Sequence, residues 1–192
     1  MASEKPAVRI SLGTWDRLRD DASSVRYEVF VIEQNVPPEV EMDDDDAVSV
    51  HAVAYAADGT PLGTGRLLPD GHIGRMAVHK RARGLGVGGL LLDALIGQGH
   101  GDGHRMLVLH AQTHAKGFYE AHGFSVEGEE FIEAGIAHVV MTRVLLKAGM
   151  RPAVRRAGAL ASRSRQSGQR KRKNPGRIRE RGFSWRITTG TS

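Results

Sequence analysis

Six residues, Arg83-Gly84-Leu85-Gly86-Val87-Gly88, stand between an apolar strand-like run over 73–78 and an apolar helix-like run over 90–96. A glycine-rich turn feeding a helix N-terminus presents backbone N–H groups with no intrahelical acceptor, and aligned peptide dipoles add partial positive charge there. Such a turn suits the binding of a phosphate or pyrophosphate. Glycine also lets the backbone approach closely and take positive φ without steric cost. Gly84 to Gly89 match the dinucleotide fingerprint G-x-G-x-x-G, but that fold wants an acid about 20 residues on, closing the next strand. The next strand, around Leu107–Leu109, is followed by His110, Ala111 and Gln112. No Gly-Lys-Ser/Thr follows the glycines, which excludes a nucleotide P-loop. Two readings remain: a plain turn, or the pattern R-x-x-G-x-G, with Arg83 as its arginine and Arg81 as added positive charge.

A second segment follows about 25 residues later: Ala111-Gln112-Thr113-His114-Ala115-Lys116-Gly117-Phe118-Tyr119-Glu120-Ala121-His122-Gly123-Phe124. It reads as the end of a strand over 105–110, a cap near Thr113, a short helix to His122 and a left-handed stop at Gly123. Taken in this order, the two segments resemble the GNAT superfamily of acetyl-CoA-dependent acyltransferases. Arg83-x-x-Gly86-x-Gly88 is similar to its coenzyme pyrophosphate loop, and Ala115-x-x-Phe118-Tyr119-x-x-x-Gly123-Phe124 to its second signature. The stretch Arg26-Tyr27-Glu28-Val29-Phe30-Val31-Ile32-Glu33-Gln34-Asn35 resembles the R-x-x-V-F-V-x-E-Q opening of the ElaA-like branch. Ile73-Gly74-Arg75-Met76-Ala77-Val78 and Gly135-Ile136-Ala137-His138 fit that branch too, so the resemblance spans roughly residues 8–147. The turn Leu68-Pro69-Asp70-Gly71-His72 is shorter than the branch leads one to expect, which would alter the rim of the substrate site.

The resemblance implies acetyl-CoA as acyl donor, an amine as acceptor, and direct transfer between them. It places Met76, Ala77 and Val78 against the pantetheine arm through their backbones. The coenzyme set is completed by Arg81, Arg83, Gly84, Leu85, Gly86, Val87, Gly88, Gly89 and Gln112. Tyr119 matches the family's tyrosine acid, since a phenol can protonate a departing thiolate once water is excluded; its alternative is packing beside Phe118 and Phe124. An amine with the ordinary lysine pKa of ~10.4 needs roughly 4–5 kcal/mol to lose its proton at pH 7, so a base is useful. Glu33 and His72 are the candidates, a carboxylate and an imidazole at the substrate end.

Four consecutive aspartates, Asp43 to Asp46, read as a solvated loop, because consecutive carboxylates rarely face one ion and no calcium-loop spacing is present. His100 with His104 and His110 with His114 straddle element boundaries, so no metal site is expected. His51 and His138 read as satisfied polar groups near strand ends. Cysteine is absent, which removes disulfides, thiolate metal sites and an acyl-cysteine intermediate. No run of 18 apolar residues and no hydrophobic leader occurs, so a cytoplasmic protein without membrane contact is expected.

The chain of 192 residues carries a net charge of +5 that hides a division. Residues 1–150 hold 14 Lys and Arg against 21 Asp and Glu, whereas residues 151–192 hold 13 against 1. This divides the chain into an acyltransferase domain over 1–148 and a basic tail over 149–192. The tail has too few large apolar side chains to offset ordering entropy and is expected to be disordered. Its charge suits weak, sequence-blind nucleic-acid contact, a function of a different class from acyl transfer. A catalytically silent acyl-CoA binder and a homodimer paired through the closing strands are further readings.

Along the domain, strands are expected over 8–12, 49–56, 62–68, 73–78, 105–110 and 138–145, with one more closing strand. Helices are expected after Thr14 or Asp16, over 25–32, over 90–96 and before Gly123. The order β-αα-βββ-α-β-α-ββ gives an α/β (α+β) GNAT fold: a mixed, mostly antiparallel sheet flanked by helices.

Overall fold

The computed structural model describes residues 7–145. The basic tail, with its expected disorder and nucleic-acid contact, lies outside the described residues. Seven strands form one sheet: β1 (Arg9–Gly13), β2 (Val50–Tyr55), β3 (Pro61–Leu67), β4 (His72–Val78), β5 (Met106–Gln112), β6 (Ser125–Glu133) and β7 (Ile136–Val144). Their order is β1-β2-β3-β4-β5-β7-β6. Every neighbouring pair is antiparallel except β4 and β5, which run parallel. Helices α1 (Trp15–Arg26), α2 (Pro38–Glu41), α3 (Val87–Gly101) and α4 (Lys116–Ala121) complete the expected order. No described helix is long and apolar enough to cross a membrane.

The turns follow from their residues. Between β2 and β3, Gly59 takes φ +86° and its N–H donates to the Ala56 carbonyl at 3.0 Å, while Asp58 accepts from the Thr60 N–H at 2.9 Å. Helix α3 buries Val87, Leu91, Leu92, Leu95 and Ile96 in a core shared with Leu67, Ile73, Leu107, Leu109 and Met141. Each such leucine contributes about 1.5–3 kcal/mol relative to exposure. On the opposite face of the sheet, α1 packs Leu18 and Ala22 against Val53 and Tyr55, and Val25 against Ala77.

One expectation fails here. Residues 25–32 do not form a second helix; α1 runs on without a break into a π-helical stretch, Tyr27–Glu33. The Gln34 N–H reaches back five residues to the Val29 carbonyl at 3.2 Å. The wider winding turns Ile32 outward, 62% exposed, where α-helical periodicity would have buried it beside Val25 and Val29. The second helix is instead the single turn α2.

Strand β4 carries the irregularity that opens the sheet. Its pairing with β3 slips between Thr64 and Arg66, and Arg75 adopts φ +52°, a left-handed conformation uncommon outside glycine. The extra residue reverses the alternation, so Ile73 packs on the α3 side while Ala77, four residues on, packs beneath α1. Gly63 permits the close approach there, since a Cβ would stand 2.9 Å from the Ala77 carbonyl oxygen. Strands β4 and β5 pair only at His72↔Val108 and Ile73↔Leu109, and beyond that they part. The cleft between them begins beside the bulge.

Candidate active site

The turn from β4 to α3 flanks this cleft. Gly84 and Gly86 have φ of +76° and +84°, and no atom lies within 4 Å of where a Cβ would stand on either, so the backbone is open to a ligand. Gly86 caps α3 without a side-chain bond, and the first helical bond runs from the Leu90 N–H to its carbonyl at 3.1 Å. The N–H groups of Val87, Gly88 and Gly89 therefore lack intrahelical acceptors at the positive end of a 15-residue helix. Gly88 and Gly89 let α4 come near: Cβ atoms there would meet the Phe118 ring at 3.5 Å and the His122 Nε2 at 3.2 Å. The arrangement fits a pyrophosphate.

Arg83 is already engaged. Its Nε donates to the Val78 carbonyl at 3.0 Å, and Nη1 and Nη2 donate to Glu33 Oε1 and Oε2 at 2.6 and 2.7 Å. The fork-to-fork pair and the Val78 bond together use three of the five guanidinium hydrogens. The next residue, Gln34, accepts from the Gln112 side chain at 3.1 Å, at the end of β5. Consecutive residues of the π-helical stretch thus grip both banks of the cleft. The hydrogen bonds from Arg83 hold the Glu33 carboxyl below its ordinary value, which weakens it as a proton acceptor. Glu33 stands beside the glycine turn, and its pairing with Arg83 argues for bracing rather than base chemistry.

Tyr119 projects from α4 into the core, 9% exposed, its ring edge-on to Phe118 at 5.0 Å and Phe124 at 6.1 Å. Burial pushes its phenol up to about 12. Among the described residues no hydrogen bond engages its hydroxyl, which is unusual for a buried tyrosine. Met76 and Val78 pack against the α3 core and Ala77 beneath α1, so their side chains serve packing.

On the face away from α3, His72 is half-exposed at the point where the strands separate. The Asp70 carboxylate lies 3.0 Å from its Nδ1 and also accepts from its backbone N–H. The preceding turn is tight, with Gly71 at φ +91° bonding back to Leu68 at 3.0 Å. Next to His72 lies His110 of β5, then Phe131 of β6 and His138 of β7, in a continuous row of rings. His51 and His138 are buried and bonded to backbone carbonyls, of Asp46 and Ile136, as expected. Among the described residues no group of three or more His, Cys, Asp or Glu side chains is placed to hold a metal ion.

The aspartate run is not a solvated loop. Asp46 is 2% exposed and accepts from Arg26 at 2.7 Å and from Arg66 at 2.6 Å. Asp43 accepts from Arg66 at 2.5 Å and Arg75 at 2.8 Å, and Glu41 accepts from Arg26 at 2.5 Å. Three arginines and three carboxylates thus neutralise one another beneath α2. Burial raises the Asp43 and Asp46 carboxyls, but the facing arginines outweigh it and hold both below their ordinary values. At Glu41 burial dominates and the carboxyl is raised. The sequence did carry a signal: Arg26, Arg66 and Arg75 all lie in otherwise apolar element cores, where a guanidinium demands carboxylates.

Residues 18–145 match the family described as the acetyltransferase (GNAT) domain, and the chain belongs to that family. It is 43% identical to the uncharacterised N-acetyltransferase YjcF of Bacillus subtilis over 127 residues, 64% of this chain and 90% of that one. Among solved structures it resembles an acyl-CoA N-acyltransferase from Pseudomonas aeruginosa, with 30% identity, TM-score 0.64 and coverage of 72% and 100%. Escherichia coli ElaA is similar at 26% identity and TM-score 0.64, covering 71% of this chain and 99% of its own, and is one of several close GNAT neighbours.

Proposed function

We propose that this GNAT domain transfers the acetyl group of acetyl-CoA to an amine. The observation that carries the reading is the open left-handed turn at Gly84 and Gly86, capping α3 beside the only parted pair of strands among the described residues. The residues 26–35 and their bracing of the cleft favour an enzyme near the ElaA-like branch. Acetyl-CoA would supply an activated thioester. The N–H groups of Val87 to Gly89 would hold its pyrophosphate, and the parted β4 backbone over Met76, Ala77 and Val78 its pantetheine arm. Arg81, exposed beside the turn, and Leu85 would border the adenosine end, with Gln112 at the far bank.

Tyr119, buried with an unbonded hydroxyl, would protonate the departing sulfur. A phenol held at about 12 stays protonated across the working range, as a general acid must. His72, beside Asp70, would take the amine's proton in place of Glu33. Isothermal titration of acetyl-CoA into the protein, repeated with Arg83→Glu, Gly86→Asp, tests the reading. Micromolar binding abolished in the double variant is the expected result. A folded wild-type protein that binds no acetyl-CoA up to millimolar concentration would refute it.

A further inference from the structure

His110 stands one residue past the last β4–β5 pair, Ile73↔Leu109, with its side chain on the face away from α3, since Leu109 and Ala111 on either side are buried in the α3 core. It is therefore the first β5 side chain facing the acceptor side of the cleft. Its ring meets that of His72 edge to face, with centroids 6.5 Å apart. Their mountings differ: among the described residues His72 Nδ1 makes no hydrogen bond, whereas His110 Nδ1 has one to Glu133. Asp70 lies 3.0 Å from His72 Nδ1, and Glu133 of β6 lies 3.3 Å from His110 Nδ1. Phe131 closes the other flank of His110 at 5.0 Å and fixes the ring plane. Among the described residues no hydrogen bond engages Nε2 of either ring. A carboxylate at Nδ1 fixes the tautomer and stabilises the imidazolium, which is how a ring is prepared to accept a proton at Nε2.

We propose that His110, positioned by Glu133, is a second proton acceptor of the acceptor site, standing beside His72 to serve a primary amine. The inference rests on the acetyl-transfer reading above. His110 presents its open Nε2 to an arriving ammonium. The ammonium proton passes to Nε2 of that ring. The freed nitrogen lone pair forms the N–C bond to the acetyl carbonyl, the C–S bond breaks, and sulfur leaves with its electron pair and takes a proton from Tyr119. The amide nitrogen then returns its surplus proton to the Tyr119 oxygen, and the imidazolium proton leaves to solvent.

The surrounding charges favour a cation. Glu127 of β6 pairs in register with Val140, the strand partner of His110, and accepts from Thr142 at 2.8 Å. His138 of β7 stacks on the far side of Phe131 and is tied to a backbone carbonyl. Arg75 of β4 and Arg66 of β3 are turned toward Glu41, Asp43 and Asp46. Asp70 and Glu133 are thus the charges that face the two rings directly.

Ethylamine and O-methylhydroxylamine test this role, being nearly the same size while only the first is protonated at neutral pH. His110→Gln is expected to cut kcat for ethylamine by at least about tenfold and to leave the neutral amine within about twofold, because only the first needs a proton removed. Glu133→Gln should do the same more weakly. Nitrogen NMR of the histidine rings reads the mounting without coenzyme: Glu133→Gln should change the His110 tautomer ratio. Equal loss on both amines, or a His110 tautomer ratio indifferent to Glu133→Gln, would overturn the role of His110. Selective loss in His72→Gln with none in His110→Gln would overturn it too, leaving His72 alone as base. Wild-type protein that binds acetyl-CoA but acetylates neither amine would overturn the proton-acceptor role, whereas absence of acetyl-CoA binding would bring down the reading beneath it.

Discussion

Glu33 and Arg83, fifty residues apart in sequence, meet as a two-pronged ion pair with 2.6 and 2.7 Å contacts at the edge of the strand cleft. Both side chains are about 40% exposed, so solvent screens the attraction and its main effect is geometric. It fixes the loop before α3 against the end of the π-helical stretch. Glu33→Gln is expected to leave the pH dependence of kcat unchanged and to alter acetyl-CoA affinity by less than about tenfold, or about 1.4 kcal/mol. Loss of the acid limb of the rate profile in this variant would restore Glu33 as the base.

Tyr119→Phe separates catalysis from architecture. The hydroxyl has no partner among the described residues, so its removal forfeits no hydrogen bond and the melting temperature should hold within about 2 °C. If it donates to the leaving sulfur, kcat falls by about 10²-fold or more with little change in acetyl-CoA affinity. Unchanged turnover would mark the residue as a packing element, and a silent coenzyme binder would show no rate to lose.

The charge cluster under α2 governs acid stability. Asp43 and Asp46 are held below their ordinary values when folded, so the stability they contribute is present above about pH 4 and lost as pH falls through their lowered values. Glu41 works oppositely: its raised carboxyl favours the folded state most at low pH, and that contribution is lost as pH rises through its folded value. Asp46→Asn should lower stability at pH 7 by about 3–5 kcal/mol, because Arg26 and Arg66 are left under-compensated. Urea denaturation at pH 7 and below pH 4 checks both statements. An unaltered pH slope in the variant would contradict the assignment.

Gly86→Ala probes the turn. The residue holds φ +84°, where a Cβ costs about 1–2 kcal/mol, but the surrounding space is open. Stability should drop by that amount in urea, and acetyl-CoA affinity should fall as the backbone reorients. Gly63→Ala meets the Ala77 carbonyl and Leu91 at 2.9 Å and should cost about 1–3 kcal/mol through overpacking.

Most of the sheet was legible from alternation and turn residues, because Asp58-Gly59 and Gly123 each fix a local conformation irrespective of distant contacts. The glycine turn before α3 was legible for the same reason: its glycines act through their own backbone. What escaped was non-local. Nothing in Tyr27–Glu33 announces a π-helix, since the winding is set by what Glu33 and Gln34 grip, fifty and 78 residues away. The aspartate run looked hydrated because its arginines arrive from α1, β3 and β4. His110 showed only a four-residue spacing to His114, and its partner Glu133 lies 23 residues on in another strand.

The π-helical stretch makes the distance between Arg26 and Gln34 a fixed gauge. Arg26 is anchored in the charge cluster, Glu33 on the α3 turn and Gln34 on β5, so three attachment points share nine successive residues. Deleting one residue would relax the winding to an α-helix and swing both terminal side chains out of reach, while each of those residues remained present. Relatives that keep this chemistry are therefore expected to vary freely in side-chain identity at Tyr27 or Ile32, which face outward, and scarcely at all in length.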